Sequence, residues 1–467
     1  MAEKESKDAK AKKAKAAKKD LKPAAVAVVD NLVFSKTETW AYYRLTTDVF
    51  DFLSSDGKIA GAFQIANAFT NLMGDRKESM DIHIIESSVP IDIDAWSVQI
   101  QEITQDWRRS PGFDKYLDDQ IRYLKQEEYL KKVVTLGVNI GKRGALEFED
   151  VNFLEMGIKG TKEQLLKWWD RALAIPGEEI SADEEDSARR KEAEIFRTLA
   201  NGNLQAKRLT SEDILLLIKR QMYPSMPTPY LDVDHESRLG PGDMELETAS
   251  AIENKYRWLK INQIVDGQEL EGYRACLSFT KFPRFSNYPG TFPFMYFPNK
   301  LSLPFTLYAR LTLKPSEIMK KEIEKKKKEQ KDEIENAYAG ATATGSVING
   351  GLPDDVARAL EDVQIMTDVL GSDKAPWVEG SYRIVVETPT EEILRKYCSI
   401  VKQRYADLDI NVTWTAGDQA ELFLEQMPGD STRIKSFKQT TNLSFLATSG
   451  FRNSNDVGDF IFGSGEA

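Results

Sequence analysis

Strand-like runs of β-branched and aromatic residues alternate with helix-spaced stretches in both halves of this 467-residue sequence. That alternation predicts a mixed α+β fold built from two α/β subdomains. Between the halves lie a charged helical stretch and a segment, 223–239, with three prolines, so a helical connector is expected to join them. A lysine-rich helical run after Pro315 has few apolar positions, which predicts a helical hairpin projecting from the second subdomain. The expected boundaries are a disordered basic arm at 1–35, a first subdomain at 36–180 and a connector with its Pro-rich loop at 181–255. A second subdomain at 256–430 carries the hairpin at 315–370, and a further connector spans 431–467.

Each element has a local reason. Residues 1–22 are rich in Lys and Ala and lack aromatic or β-branched residues, so they cannot bury enough apolar surface to offset the entropy of ordering. Trp40-Ala41-Tyr42-Tyr43-Arg44-Leu45 is the first strand candidate, and Asp81-Ile82-His83-Ile84-Ile85-Glu86, closed by Pro90, is the second. Helices over 92–109 and 114–129 follow, separated by Ser110-Pro111-Gly112. Residues 133–140 return as a strand, and a helix carrying Leu165, Leu166, Trp168, Trp169 and Leu173 ends at Pro176-Gly177. From 182 to about 222 the pattern is helical, with Ser211 and its following acids placed as an N-cap.

In the second half, strand signals at 256–265 turn at Asp266-Gly267 into a strand at 273–279, a hairpin pattern. Residues 282–297 are crowded with aromatics and prolines, which predicts an ordered loop packed on the core; Tyr296 and Phe285, like Trp169, are assigned to core packing. A strand at 305–313 leads to Pro315 and a long helix to about 338. The Gly-rich run 340–351 would turn that helix, and Pro353 would start the return arm. A strand at 382–387, a helix at 390–405, a strand at 410–414 and a helix at 418–427 complete the unit.

The two halves share this order. Asp81–Ile85 matches Thr306–Arg310 in role, and Val133–Ile140 matches Tyr382–Glu387. Two ferredoxin-like split βαβ units would produce it, as in a distant duplication.

Composition excludes several function classes. The hydrophobic content of 41% and charged content of 29% are those of an ordinary soluble globular protein. A net charge of -11 argues against a surface built to neutralise phosphates, so DNA contact is disfavoured. Charge is unevenly spread, with the basic arm preceding an acidic body. For residues 1–22 three readings stand: a solvated tail, a contact to anionic lipid headgroups and, ranked last, a contact to nucleic acid. Cys276 and Cys398, two cysteines far apart in the sequence, suggest neither a disulfide framework nor a zinc knuckle, and they fit a reducing compartment. No run approaches the length of a membrane span; 24–29 is short and broken by Asp30, and the N-terminus lacks a secretory-signal pattern.

Catalytic chemistry is poorly supplied. Gly137-Val138-Asn139-Ile140-Gly141-Lys142-Arg143 has the wrong spacing for a phosphate-binding loop and ends in Arg where a magnesium-binding hydroxyl is required. His235 beside Asp232, Asp234 and Glu236 reads as a solvated acidic loop, and His83 lies inside a strand. Neither Ser nor Cys occupies a nucleophile-elbow context.

One stretch points elsewhere. The helix ending in Gln426-Met427-Pro428-Gly429-Asp430, then Arg433, Thr440-Thr441-Asn442 and Ser449-Gly450-Phe451, follows the earlier Trp40–Leu45 and Asp81–Ser88 strands in one order. This arrangement resembles the approach to the motor domain in conjugative type IV secretion ATPases of the CagE/TrbE/VirB family, in the style of the ConE-like Gram-positive members. The family tends to have Gln-Leu-Pro-Gly-Asn at the turn, where this chain has Met427 and Asp430. The resemblance implies an N-terminal docking and assembly domain from which the motor is absent. It implies no cofactor in this chain, with ATP and Mg belonging to the missing motor, and it carries over no catalytic residue. Implied partners are inner-membrane subunits of the secretion channel, the chain's own ATPase domain and further copies of itself. The implied location is cytoplasmic, peripheral at the inner face of the cell membrane. Within the hairpin, Lys325, Lys326, Lys327, Lys328 and Lys331 are the candidate partner contacts. Two other readings stay open: a DNA- or membrane-contacting adaptor, and a self-contained enzyme of unrecognised class.

Overall fold

A computed structural model of the chain describes residues 23–90, 112–126, 130–143, 180–202, 204–222, 238–239, 251–265, 268–283, 288–289, 293–300, 305–343 and 375–454. The first half contributes strands β1 (Ala25–Val29), β2 (Leu32–Ser35), β3 (Glu38–Leu45), β4 (Asp48–Val49), β5 (Met80–Pro90), β6 (Leu130–Lys142), β7 (Lys207–Arg208) and β8 (Arg238–Leu239). Its helices are α1 (Ser55–Met73), α2 (Phe113–Gln126), α3 (Ala182–Asn201) and α4 (Ser211–Met222). The second half contributes β9 (Ala251–Asn254), β10 (Leu259–Val265), β11 (Gln268–Lys281), β12 (Phe305–Lys314), β13 (Trp377–Thr388), β14 (Asn411–Trp414), β15 (Gln439–Asn442) and β16 (Asn453–Ser454). Its helices are α5 (Ser316–Ala343), α6 (Glu391–Ala406), α7 (Gln419–Glu425) and α8 (Leu443–Ala447).

The architecture is mixed α+β, with one 14-stranded antiparallel sheet running through both halves. Its main path is β8-β1-β2-β3-β6-β5-β12-β13-β11-β10-β9. The halves meet where β5 pairs with β12, from Met80 opposite Leu313 to Ser87 opposite Thr306. Leaving aside β4, which pairs with β16 in a separate two-stranded sheet, and reading inward from either end after β8, the order is the same: first, second, third, fifth and fourth strand of that half. β3 and β5 both run antiparallel to β6 between them, and β11 and β12 likewise flank β13. The segments paired by role in the sequence therefore lie on corresponding strands, β5 with β12 and β6 with β13.

Side chains alternate across the strands and so feed two cores. On β3, Ala41, Tyr43 and Leu45 face a large cluster with Phe69 of α1, Leu199 of α3, Cys398 of α6 and Leu446 of α8. Trp40 and Tyr42 point the other way, toward Ile214, Leu215 and Ile218 of α4 and Phe423 of α7. The aromatic residues after β11 pack as expected: Phe282 and Phe294 lie 4.8 Å apart, centroid to centroid, and Tyr296 is fully buried. Phe285 and Trp169 lie outside the described residues.

Several sequence expectations change. Residues 25–35 are not part of a disordered arm; they form the β1–β2 hairpin, in which Val29 pairs with Leu32 across Asp30-Asn31 and Asp30 adopts φ 50. Helix α1 was not foreseen. It starts at Ser54, whose Oγ accepts from the Gly57 N–H at 3.1 Å, and stops at Gly74, where φ is 47. The helical stretch 182–222 is two helices, broken by Gly202 and strand β7. Its second helix is capped by Thr210 and not by Ser211: Thr210 Oγ1 accepts from Asp213 N, and Thr210 N donates to Asp213 Oδ2. Residues 439–454 are not an external connector, since they supply β15, α8 and β16 to the body. The predicted helix at 92–109, the helix carrying Trp168, the return arm from Pro353 and residues 1–22 and 455–467 lie outside the described residues.

Candidate functional site

The turn singled out by sequence lies buried across the seam between the halves. Met427 and Gln426 are inaccessible and Asp430 nearly so. Gly429 has φ 77, a backbone conformation open to glycine, and its N–H donates to Tyr42 Oη of the first half at 2.9 Å. From the second half, Arg310 on β12 donates to the carbonyls of Glu425 (2.8 Å) and Met427 (2.7 Å). The Glu425 carbonyl is one of those that the end of α7 leaves without helical partners, and the Met427 carbonyl, just past the helix, also accepts from Asp430 N at 3.2 Å. The Arg310 guanidinium also lies 5.2 Å from the Trp40 ring centroid.

Two more buried arginines complete the cradle. Arg274 on β11 donates to the Gln426 side chain and to Gln221 O, and Arg383 on β13 donates to Ser436 O at 3.1 Å. The Glu425 carboxylate, fully buried, accepts from the N–H groups of Arg433 and Ile434 at 2.9 Å each and lies 3.8 Å from Arg383 Nε. Asp430 takes two hydrogen bonds from Arg433, both at 2.8 Å. Ionised groups hold this turn, and their bonds are of the charge-assisted, stronger kind.

The neighbouring titratable groups are held in their uncharged forms. Burial, with Arg310 adding repulsion, drives His83 well below its ordinary range, so its imidazole is neutral. Burial also pushes Tyr42 up to about 12 and Tyr308 well above the usual phenol value. Tyr42 Oη accepts the Gly429 proton and reaches His83 Nδ1 at 3.4 Å. Burial raises Cys276 to about 11 and Cys398 to about 12, which keeps both thiols protonated and poor nucleophiles at neutral pH. The cluster is built to hold a chain segment.

The remaining candidates separate. Thr440, Thr441 and Asn442 form β15 on the first residues of β13, where Thr441 pairs with Val378, and Asn442 caps α8 by accepting from Phe445 N at 2.9 Å. Pro428 sits within the buried turn. The hairpin lysines are far from that turn in the chain: α5 buries Met319 and Ile323, after which Lys325, Lys326 and Lys328 are exposed and Lys327 half-buried. The side chain of Lys331 lies outside the described residues. Gly137 to Lys142 form the last part of β6, with Gly137 against the Tyr42 ring, and Arg143 is committed to Glu184 at 2.7 Å. His235 lies outside the described residues, among which there is no group of His, Cys, Asp or Glu placed to hold a metal and no helix long and apolar enough to cross a membrane.

Sequence reasoning named the turn but missed the residues that grip it. Arg310 and Arg383 sit among the apolar residues of β12 and β13, and a charged residue in the middle of such a strand was the available signal; Arg274, on the more polar β11, and the neutral Tyr42 carried no such mark. Compared with known proteins, the chain matches no family model and no curated protein.

Proposed function

We propose that this chain is a docking and assembly module of the kind found at the N-terminal side of conjugative type IV secretion ATPases, made of two ferredoxin-like subdomains related by duplication. Two observations support the duplication: the matching strand order of the halves and the split arrangement of β3, β5 and β6, repeated in β11, β12 and β13. The ATPase chemistry, with its ATP and Mg, belongs to a motor outside this sequence. The role of this chain is to hold inner-membrane channel subunits in place, at the inner face of the cell membrane. Its basic arm at 1–22 adds contact to anionic lipid.

The observation that carries the docking role is α5. Lys314 anchors its base, with Nζ 2.9 Å from Glu322 and 2.5 Å from Glu379. Beyond Ile323 the described side chains are charged and mostly exposed, so the helix gains little by burial in its own domain. At about 1.5 Å per residue, the 20 residues from Ile323 to Ala343 reach roughly 30 Å.

Removing residues 325–355 with a short Gly-Ser closure tests the reading. Thermal melting should stay within a few degrees of the intact chain, while pull-down of the cognate membrane subunits and transfer frequency in the full-length motor are lost. Normal pull-down together with normal transfer would overturn the docking role.

A further inference from the structure

We propose that the exposed apolar face at the start of α1 is the docking site for residues 457–462 of the same chain. Seven large apolar residues are exposed among the described residues, and four of them, Phe52, Leu53, Ile59 and Phe63, fall between positions 52 and 63. Phe52 is 70% exposed and Phe63 66%. Single exposed apolar residues are ordinary on a protein surface, whereas a cluster of them marks a face that something covers. Ile59 and Phe63, four apart, share one face of α1, and the Leu53 side chain lies 3.7 Å from where a Cβ at Gly57 would stand. This platform is fixed from behind. Phe50 is buried with its ring 5.0 Å from that of Tyr296, centroid to centroid, and Tyr288 Oη donates to Lys58 O at 3.0 Å.

The direction of the chain identifies the occupant. β16 runs parallel to β4, with Asn453 opposite Asp48 and Ser454 opposite Val49, so the chain leaves Ser454 heading the same way as residues 50–53 leave β4. Asn453 is held in that place by Lys132 Nζ, 2.6 Å from its carbonyl oxygen. Residues 455–467 then contain one apolar run, Phe460-Ile461-Phe462, with Val457 just before it. The six residues from Ser454 to Phe460 span up to about 20 Å when extended. On the other side, three residues separate Val49 from Phe52, at most about 10 Å, and α1 advances about 12 Å from Ser55 to Phe63. The run therefore reaches Phe52 and Leu53 with residues to spare and can lie along the first turns of α1. Two other covers fit less well. The four exposed residues offer about 400 Å², about half of the ~800 Å² per partner in a stable complex, which suits a short segment better than a second copy. Asp51 and Asp56, both exposed, flank the patch and repel an anionic bilayer.

Competition between the tail and a free peptide of the same sequence tests this on the full chain. A labelled synthetic peptide of residues 455–467 is titrated into the unaltered chain and into Phe460→Ser/Phe462→Ser, and binding is followed by fluorescence anisotropy. The variant, whose own tail cannot dock, should bind the peptide with a dissociation constant of about 0.1 mM. The unaltered chain should bind it about tenfold more weakly, since a tethered tail competes at an effective concentration of about a millimolar. Adding Phe63→Asp or Phe52→Ser to the tail variant should weaken the peptide about tenfold or more without moving the melting temperature, because both side chains are exposed. Equal affinity for the unaltered chain and the tail variant, no binding to the tail variant, or binding that survives both patch changes would overturn the proposal. So would sedimentation in which the unaltered chain doubles its mass with concentration and the tail variant does not, since the tail would then sit on a second copy.

Discussion

Replacing Gly429 by alanine isolates what the buried turn contributes. A left-handed backbone costs a non-glycine residue about 1–2 kcal/mol, and Gly429 has φ 77. The new Cβ would also stand 2.6 Å from Val33 Cγ1, a fully buried atom on β2 in the first half. Overpacking of this kind costs about 1–3 kcal/mol, so Gly429→Ala should destabilise the chain by about 2–5 kcal/mol in urea unfolding. The two terms separate in a double-mutant cycle with Val33→Ala. That change alone removes two methyl groups, at about 0.8 kcal/mol each plus a cavity term. In the double variant the Cβ at 429 enters the vacated space, so the pair should be less destabilised than the sum of the singles by about 1–2 kcal/mol. The backbone term should remain. Additive effects would mean that Val33 and the turn are not packed against each other, and a loss below about 1 kcal/mol for Gly429→Ala would refute the placement of the turn altogether.

Three further perturbations probe the fold. Burial raises the Glu86 carboxyl to about 8 even though Lys132 Nζ lies 2.5 Å away and pulls it down; an unfolded Glu titrates near 4.3, so between those values the native state holds more protons and stability falls as pH rises. Urea unfolding from about pH 5 to about pH 8 should show that decline in the native chain and a flatter profile in Glu86→Gln/Lys132→Met, and parallel profiles would refute it. Gly137→Ala should cost about 2–4 kcal/mol, because its Cβ would lie 2.5 Å from Tyr42 Cε1 and drive the ring away from Gly429. Gly61→Ala in α1 meets nothing within 4 Å and should stabilise by about 0.5–1 kcal/mol; similar effects at the two glycines would contradict the packing.

What was legible in the sequence was whatever carried its own local signal. β12 and β13 are long apolar runs bounded by Pro or Gly, and the Thr390 cap before α6 accepts from Ile393 N as an N-cap should. Helix α1 escaped because both of its faces are rich in apolar and small residues: Ile65, Phe69 and Leu72 are buried while Ile59 and Phe63 are exposed, so no polar face marks the period. Its Ser54 cap and Gly74 stop were readable, and they outweigh a missing amphipathic stripe. The β1–β2 hairpin was hidden by asking of 24–29 only whether it could span a membrane; Asp30-Asn31 between two apolar runs is a turn signal in itself. The grip on the turn was beyond reach of any local rule. Arg310 is separated by 115 residues from the Glu425 carbonyl it holds, and no spacing within a strand predicts a partner at that distance.

The path of residues 425–454 determines how the halves are joined. A seam made of β5 and β12 alone is a ladder of backbone bonds, and one-residue slippage would exchange the two faces of every strand beyond it. Gly429 and Arg310 fix one face of that seam, since the turn bonds Tyr42 of the first half and takes two hydrogen bonds from the second. The chain then crosses to the other face, where α8 packs in the same cluster as Phe69 of α1 and Val378 of β13. It finishes on β4, with Asn453 paired to Asp48 and the Arg452 guanidinium donating to Thr46 O at 3.0 Å. One continuous segment therefore fastens both faces and both halves. A load applied along it is borne by the whole sheet, because displacing the turn would uncover Arg274, Arg310 and Arg383 together, and uncompensated buried guanidiniums cost far more than the turn's own contacts. The docking role proposed above would draw on this property of the seam.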